Sequence, residues 1–134
     1  MNTVVGIDVQ SIDEVAASRN QFGTRYTRRL FTSHEIESCG ENLATAASGF
    51  VARCAAKEAV LKILDVREIV PAWKAIEIRR TTSGRPEIVL LGVAAELAHR
   101  QGIEEISLSI SHGVGVVIAA AVAQASGRCR SGRL

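Results

Sequence analysis

The spacing of apolar positions changes several times along the chain, and those changes divide it into elements. "TVVGIDV" alternates and reads as a first strand, ending near Asp8. "SIDEVAASRNQF" returns to helical spacing, with Ser11 as N-cap and Glu14 three residues on, a capping-box pattern. "GTRYTRRLF" continues as helix or turn. In "TSHEIESCG", Thr32 or Ser33 caps a short helix, Glu35 lies in its first turn and Gly40 stops it. "ENLATAAS" is a polar lead-in to a long helix over 48–64, and "DVREIVPAW" is a connection broken by Pro71. "KAIEIRRTT" and "EIVLLG" are strands around the turn "SGRP"; "VAAELAHRQG" is an amphipathic helix closed by Gly102. "IEEISLSIS" and "GVVIAAAVA" are two more strands, joined around "HGVG". The pairs 76–81/87–91 and 106–111/116–123 read as hairpins. The interleaving predicts an α+β domain with a mainly antiparallel sheet packed against a long central helix.

That long helix carries an anomaly. "FVARCAAKEAVLKIL" is rich in Ala and Leu, with no Gly or Pro inside. Stepping roughly 100° per residue from Phe50 puts Glu58 inside the apolar arc, with Lys62 one turn further on. A carboxylate on a buried face needs a cation or several donors. The plain reading is a local pair with Lys62 in the favourable Glu-then-Lys order. The sharper reading is a hard-metal site in which Glu58 and Asp8, at the end of the first strand, hold Mg²⁺. Two carboxylates with waters and substrate phosphate oxygens is a common way of holding that ion. Arg53, Lys57 and Lys62 would surround the same pocket with positive charge.

Composition narrows the field without choosing within it. The 134 residues suffice for one domain, 1–124, with 125–134 as a disordered tail. A net charge of +2 does not argue for nucleic acid. The arginines are uneven, with Arg19, Arg25, Arg28 and Arg29 clustered near the start, so an acidic partner or phosphates are favoured locally. RNA recognition would need stacking aromatics between those cations, and the chain has only one Trp, one Tyr and three Phe. The three cysteines suggest neither a disulfide framework nor a metal site, which fits a reducing, cytoplasmic setting. Nothing reads as a signal peptide or a membrane span. His112, between an alternating strand and "GVG", could contact a phosphate or a base, or could be a turn residue without a role. No P-loop, HExxH or Ser-His-Asp pattern is present.

Taken together and in order, these motifs resemble the holo-acyl-carrier-protein synthases, the small 4′-phosphopantetheinyl transferases. The resembling features are the first strand ending Gly-x-Asp ("VGID"), the segment "RYTRRLFTSHE", the helix "FVARCAAKEAVLK", the hairpin "GRP" at Gly84 to Pro86, and "SISHGVGVVIAAAVA". They run from about residue 3 to 123. The resemblance implies the 4′-phosphopantetheinyl transferase fold. It also implies Mg²⁺-dependent transfer of the phosphopantetheine arm of coenzyme A to a serine of an apo acyl carrier protein, releasing adenosine 3′,5′-bisphosphate. Asp8 and Glu58 become the metal ligands. Lys62 joins them in catalysis, neutralising the pyrophosphate or assisting removal of the serine proton. Coenzyme A contacts fall to Arg53, Lys57, Lys62, Gly84, Pro86 and His112, and carrier docking to Arg25, Tyr26 and Arg29. A homotrimer with sites between subunits is implied, in which His112 could serve a neighbour, and fatty-acid synthesis is the expected pathway. Neither nucleic acid nor membrane is an expected partner. The alternative is a non-catalytic module of the same fold that binds coenzyme A or a carrier. One departure favours it: the family usually has a glycine-containing stretch after the helix, and "ILDVREIV" has none.

Overall fold

A computed structural model describes residues 1–39, 43–66 and 69–126. The first strand, β1 (Asn2–Ser11), runs three residues beyond Asp8. Helix α1 (Ile12–Leu30) follows, with Ser11 accepting from the Glu14 N–H as its N-cap. Gly23, at φ 64°, interrupts α1, which is the break between the two segments read from the sequence. Helix α2 (Ser33–Cys39) opens with a reciprocal capping box: Thr32 Oγ1 accepts from the Glu35 N–H at 3.2 Å, and Glu35 Oε1 accepts from the Thr32 N–H at 2.9 Å. The expected stop at Gly40 lies outside the described residues.

Helix α3 (Leu43–Ile63) begins five residues before the expected start at 48, so the end of the supposed lead-in is helical. Its core residues include four buried alanines, Ala52, Ala55, Ala56 and Ala59. A short 3₁₀ turn, Trp73–Ala75, then leads into β2 (Ile76–Arg80), which pairs with β3 (Pro86–Leu90). Helix α4 (Gly92–Arg100) precedes β4 (Ile106–His112) and β5 (Val116–Ala125). The two expected hairpins are present, and all strand pairing is antiparallel. β5 lies between β1 and β4 in a three-stranded sheet; β2 and β3 form a separate ribbon.

The sheet's inner face explains how α3 comes so close. Ala119, Ala121 and Ala123 of β5 are buried and stand opposite Asp8, Gly6 and Val4. A Cβ on Gly6 would collide with the carbonyl oxygen of Ala59 and lie 3.2 Å from Lys62 Cβ. Gly6 has no positive φ, so glycine stands there for space alone. Small residues on both surfaces thus bring β1 against α3 beside the two candidate carboxylates.

β5 closes one residue beyond the expected domain end. Ala125 is buried, and the Ser126 N–H donates to Gln101 O at 3.1 Å, so these two residues belong to the fold and not to a tail. The remaining residues of the expected tail, 127–134, lie outside the described residues. Among the described residues, no helix is long and apolar enough to cross a membrane.

Candidate active site

Asp8 and Glu58 are brought to one region by the β1–α3 contact. Asp8 follows Gly6 by two residues and so shares its face toward the helix. Glu58 precedes Ala59, the residue against which Gly6 packs. Lys62, one turn beyond Glu58, reaches across to β1. Its ammonium donates to Ile7 O at 2.7 Å and to Asp8 Oδ1 at 3.3 Å. Asp8 Oδ2 accepts from Gln10 Nε2 at 2.7 Å. The simple Glu58–Lys62 pair is therefore not what forms; Lys62 takes Asp8 instead. Glu58 is half-buried, and no hydrogen bond or ion pair reaches its carboxylate among the described residues. The nearby Cys54 registers these charges. Burial pushes its thiol up to about 12; Lys57 opposes that rise, and the carboxylates of Glu35, Glu58 and Asp8 add to it. Cys54 is inert at neutral pH.

These oxygens fit a hard cation. Glu58 has uncommitted lone pairs, and Asp8 is held by one amide and one exchangeable ammonium. Among the described residues, no three His, Cys, Asp or Glu side chains cluster as a metal site. A two-carboxylate set of this kind suits an ion that keeps most of its waters, as Mg²⁺ does.

A second feature lies on the same side of the sheet. His112 stands opposite Val117, and Val117 opposite Gln10, so His112 shares the face of Gln10 and Asp8, two strands away. Two strand spacings are about 10 Å. His112 lines an open cleft of about 730 Å³ with Arg53, Arg80, His34, Ser38, Cys39, Ser48 and Gly49. Arg53 is 5% exposed, and its Nη1 donates to Gly49 O at 3.2 Å. Its Nε is buried with no hydrogen-bond partner among the described residues. A buried guanidinium N–H left unpaired is costly, and an anion in the cleft would satisfy it.

Lys57 does not belong to this cleft, which corrects the expectation that it contacts phosphates. It is fully buried, and its ammonium donates to Glu35 Oε1 at 2.8 Å, Trp73 O at 2.8 Å and Ile76 O at 2.6 Å. All three N–H bonds are committed. Burial pulls its pKa below the usual lysine value, with Glu35 opposing. Seven steps of roughly 100° from Phe50 return to about −20°, beside Phe50 itself, so its place next to an apolar position was legible.

Gly84 and Pro86 do not line the cleft either. Gly84, at φ 87°, makes the turn between β2 and β3, and Pro86 stands opposite Arg80, which does line it. Arg80 and His34 are the cleft residues that sequence reasoning missed; His34 lies inside a segment that carried the family resemblance, and Arg80 lies just before the "GRP" turn. Arg25, Arg28 and Arg29 are exposed on the second half of α1. The side chain of Tyr26 lies outside the described residues. In the glycine-free stretch, Asp65 N–H donates to the buried Gln101 Oε1 at 2.7 Å, and Ile69 and Val70 are exposed.

Comparison with known proteins identifies relatives of this chain. Residues 4–119 match the model of the 4′-phosphopantetheinyl transferase superfamily. A holo-acyl-carrier-protein synthase of Clostridium kluyveri is 42% identical over 120 residues, covering 88% of this chain and 87% of that protein. One from Koribacter versatilis is 38% identical over 109 residues, covering 80% and 86%. The crystal structure of the Helicobacter pylori holo-acyl-carrier-protein synthase in complex with coenzyme A superposes with a TM-score of 0.74 at 27% identity, covering 90% of this chain and all of that one.

Proposed function

The chain belongs to the 4′-phosphopantetheinyl transferase superfamily, and from that premise we propose that it moves the 4′-phosphopantetheine group of coenzyme A onto a serine of an apo acyl carrier protein. The observation that carries this reading is the β1–α3 contact, which brings Asp8 of the sheet and Glu58 of the helix to one region, on the same side of the sheet as an anion cleft with a buried arginine. A binding-only module would need the cleft but not the carboxylates.

In this reading residues 1–126 act as one catalytic domain. Asp8 and Glu58 would hold Mg²⁺, which supplies positive charge to the pyrophosphate when bound. Arg53 and His112, with Arg80 and His34, hold the phosphates of the adenosine end. Lys62, half-exposed and hydrogen-bonded to the Ile7 carbonyl and Asp8, swings by side-chain rotation toward the scissile anhydride. The serine oxygen attacks the β-phosphorus, the anhydride bond to the leaving phosphate breaks, and adenosine 3′,5′-bisphosphate departs. Negative charge grows on the non-bridging oxygens, where Lys62 stabilises it. The serine proton passes to Glu58 through a water, since the Lys62 ammonium that stabilises the phosphate charge has no lone pair to receive it. Arg25 and Arg29 would dock an acidic carrier helix, with Arg28 beside them, in a cytoplasmic setting and for fatty-acid synthesis.

Assembly is part of the same proposal. The sheet's outer face exposes Val5, Ile7 and Val9 of β1 beside Ile118 and Val122 of β5. An apolar sheet face of this kind is a contact surface, and we assign it to the homotrimer. Val5→Glu is expected to convert the trimer to monomer in size-exclusion chromatography with light scattering; an unchanged mass would remove this face from the interface.

The direct test mixes the protein with coenzyme A, Mg²⁺ and an apo acyl carrier protein and weighs the carrier. The expected result is a gain of one phosphopantetheine group. Saturable coenzyme A binding with no gain on any carrier would leave only the binding module.

A further inference from the structure

We propose that Lys57 and Glu35 are a positioning pair that sets the width of the coenzyme cleft, an inference that rests on that cleft receiving coenzyme A. Both side chains are fully buried and 2.8 Å apart. Around them, three parts of the chain are joined by directional bonds. Glu35 Oε1 accepts from the Thr32 N–H at the start of α2, and Oε2 accepts from the Ile78 N–H of β2 at 3.0 Å. Lys57 of α3 donates to Glu35 and to the carbonyls of Trp73 and Ile76. Its ammonium also lies 5.4 Å from the centre of the Phe31 ring.

The cleft walls contributed by α2, α3 and β2 begin within a few residues of this knot; His112 of β4 closes the remaining side. His34 adjoins Glu35, and Ser38 lies a turn beyond it on α2. Arg53 sits one turn before Lys57 on α3. Arg80 is two residues past Ile78 on β2. A second tie lies outside the first: Thr32 Oγ1 donates to Glu77 Oε1 at 2.6 Å, and Arg79 Nη2 sits 2.7 Å from Glu77 Oε2. Burial pushes the Glu77 carboxyl up, but its bonds from Thr32 and Arg79 outweigh that and hold it below the usual value.

A buried ion pair gives little net stability over apolar residues of the same volume, because desolvation offsets most of the attraction. Apolar packing would let α2 slide or rotate against α3. Charged hydrogen bonds to two backbone N–H groups and two carbonyls do not. The pair therefore specifies spacing: it keeps His34, Arg80 and Arg53 at a separation that suits one set of phosphates.

The test uses the whole protein carrying Lys57→Met together with Glu35→Gln, which removes both charges at similar volume. Coenzyme A affinity is expected to fall about tenfold or more, because cleft cations displaced by even 1 Å lose alignment. The KM for the carrier is expected to stay within about twofold. Ile103→Ala, a buried truncation in the α4–β4 connection, serves as the control for lost stability and is expected to leave coenzyme A affinity unchanged. If the double variant does not fold, Thr32→Val carries the test. It removes the Glu77 tie and the Thr32 Oγ1 cap on the Glu35 N–H, leaves the Lys57–Glu35 ion pair in place, and is expected to weaken coenzyme A binding about threefold. A folded variant of either kind with parental coenzyme A affinity overturns the proposal. So does a control that loses affinity equally, or a carrier KM that rises in parallel. If the parent itself fails to bind coenzyme A, what falls is the ligand assigned to the cleft.

Discussion

Glu58→Gln is expected to slow phosphopantetheine transfer by on the order of 100-fold or more while the protein keeps its fold and its melting temperature. The asymmetry follows from the surroundings of the carboxylate. No hydrogen bond or ion pair reaches Glu58 among the described residues, so neutralising it orphans no donor. It also removes a negative charge near Asp8, which leaves stability equal or slightly higher. Transfer behaves differently, because a carboxylate facing a metal–phosphate complex acts through charge that an amide lacks. The check is a rate measurement by carrier mass at saturating coenzyme A, paired with coenzyme A binding by calorimetry and a thermal melt. A variant that transfers within about tenfold of the parent would remove Glu58 from the chemistry. A variant that unfolds would show that Glu58 is a structural group.

The parts of the fold that local patterning controls were legible in the sequence. Period-two alternation in "ISLSIS" and "KAIEIRR" located both hairpins, because one face of each strand is apolar. Thr32 with Glu35 announced the start of α2 through capping chemistry. The misreadings share a different origin. Polar residues such as Thr45 and Ser48 marked a lead-in where α3 already runs, since helix propensity is a weak guide to where a helix starts. Strand β1 continues past Asp8 because Val9, Gln10 and Ser11 find partners on β5, near the other end of the chain. Lys57 shows the same limit at the site. Its place in the apolar arc was readable, but its partners Glu35, Trp73 and Ile76 are contributed by other elements. Without them a basic residue in a transferase motif reads as a phosphate contact. Arg80 and His34 were missed because what makes them neighbours is the tertiary knot around Glu35, not their spacing.

Gly6→Ala is expected to cost about 1–3 kcal/mol of stability and to reduce transfer further than that loss explains. Glycine inside a strand is a local disadvantage: it adds chain entropy to the unfolded state and offers no side chain to pack. Its backbone here needs no left-handed conformation, so only close approach explains its presence. The methyl group would meet the Ala59 carbonyl oxygen, a backbone atom inside a helix that cannot turn aside. β1 and α3 must then separate locally. Asp8 travels with β1, whereas Glu58 and Lys62 travel with α3, so the displacement falls on the spacing of the two proposed metal-binding carboxylates. Val4→Ala separates the two effects. It trims a half-buried residue on the same face and is expected to lower stability while leaving that spacing intact. Denaturant melts and transfer rates, measured where both variants are folded, decide the matter. Equal transfer per folded molecule in the two variants would mean that Gly6 serves packing alone. A selective loss in Gly6→Ala would tie the absence of one methyl group to the geometry of the reaction.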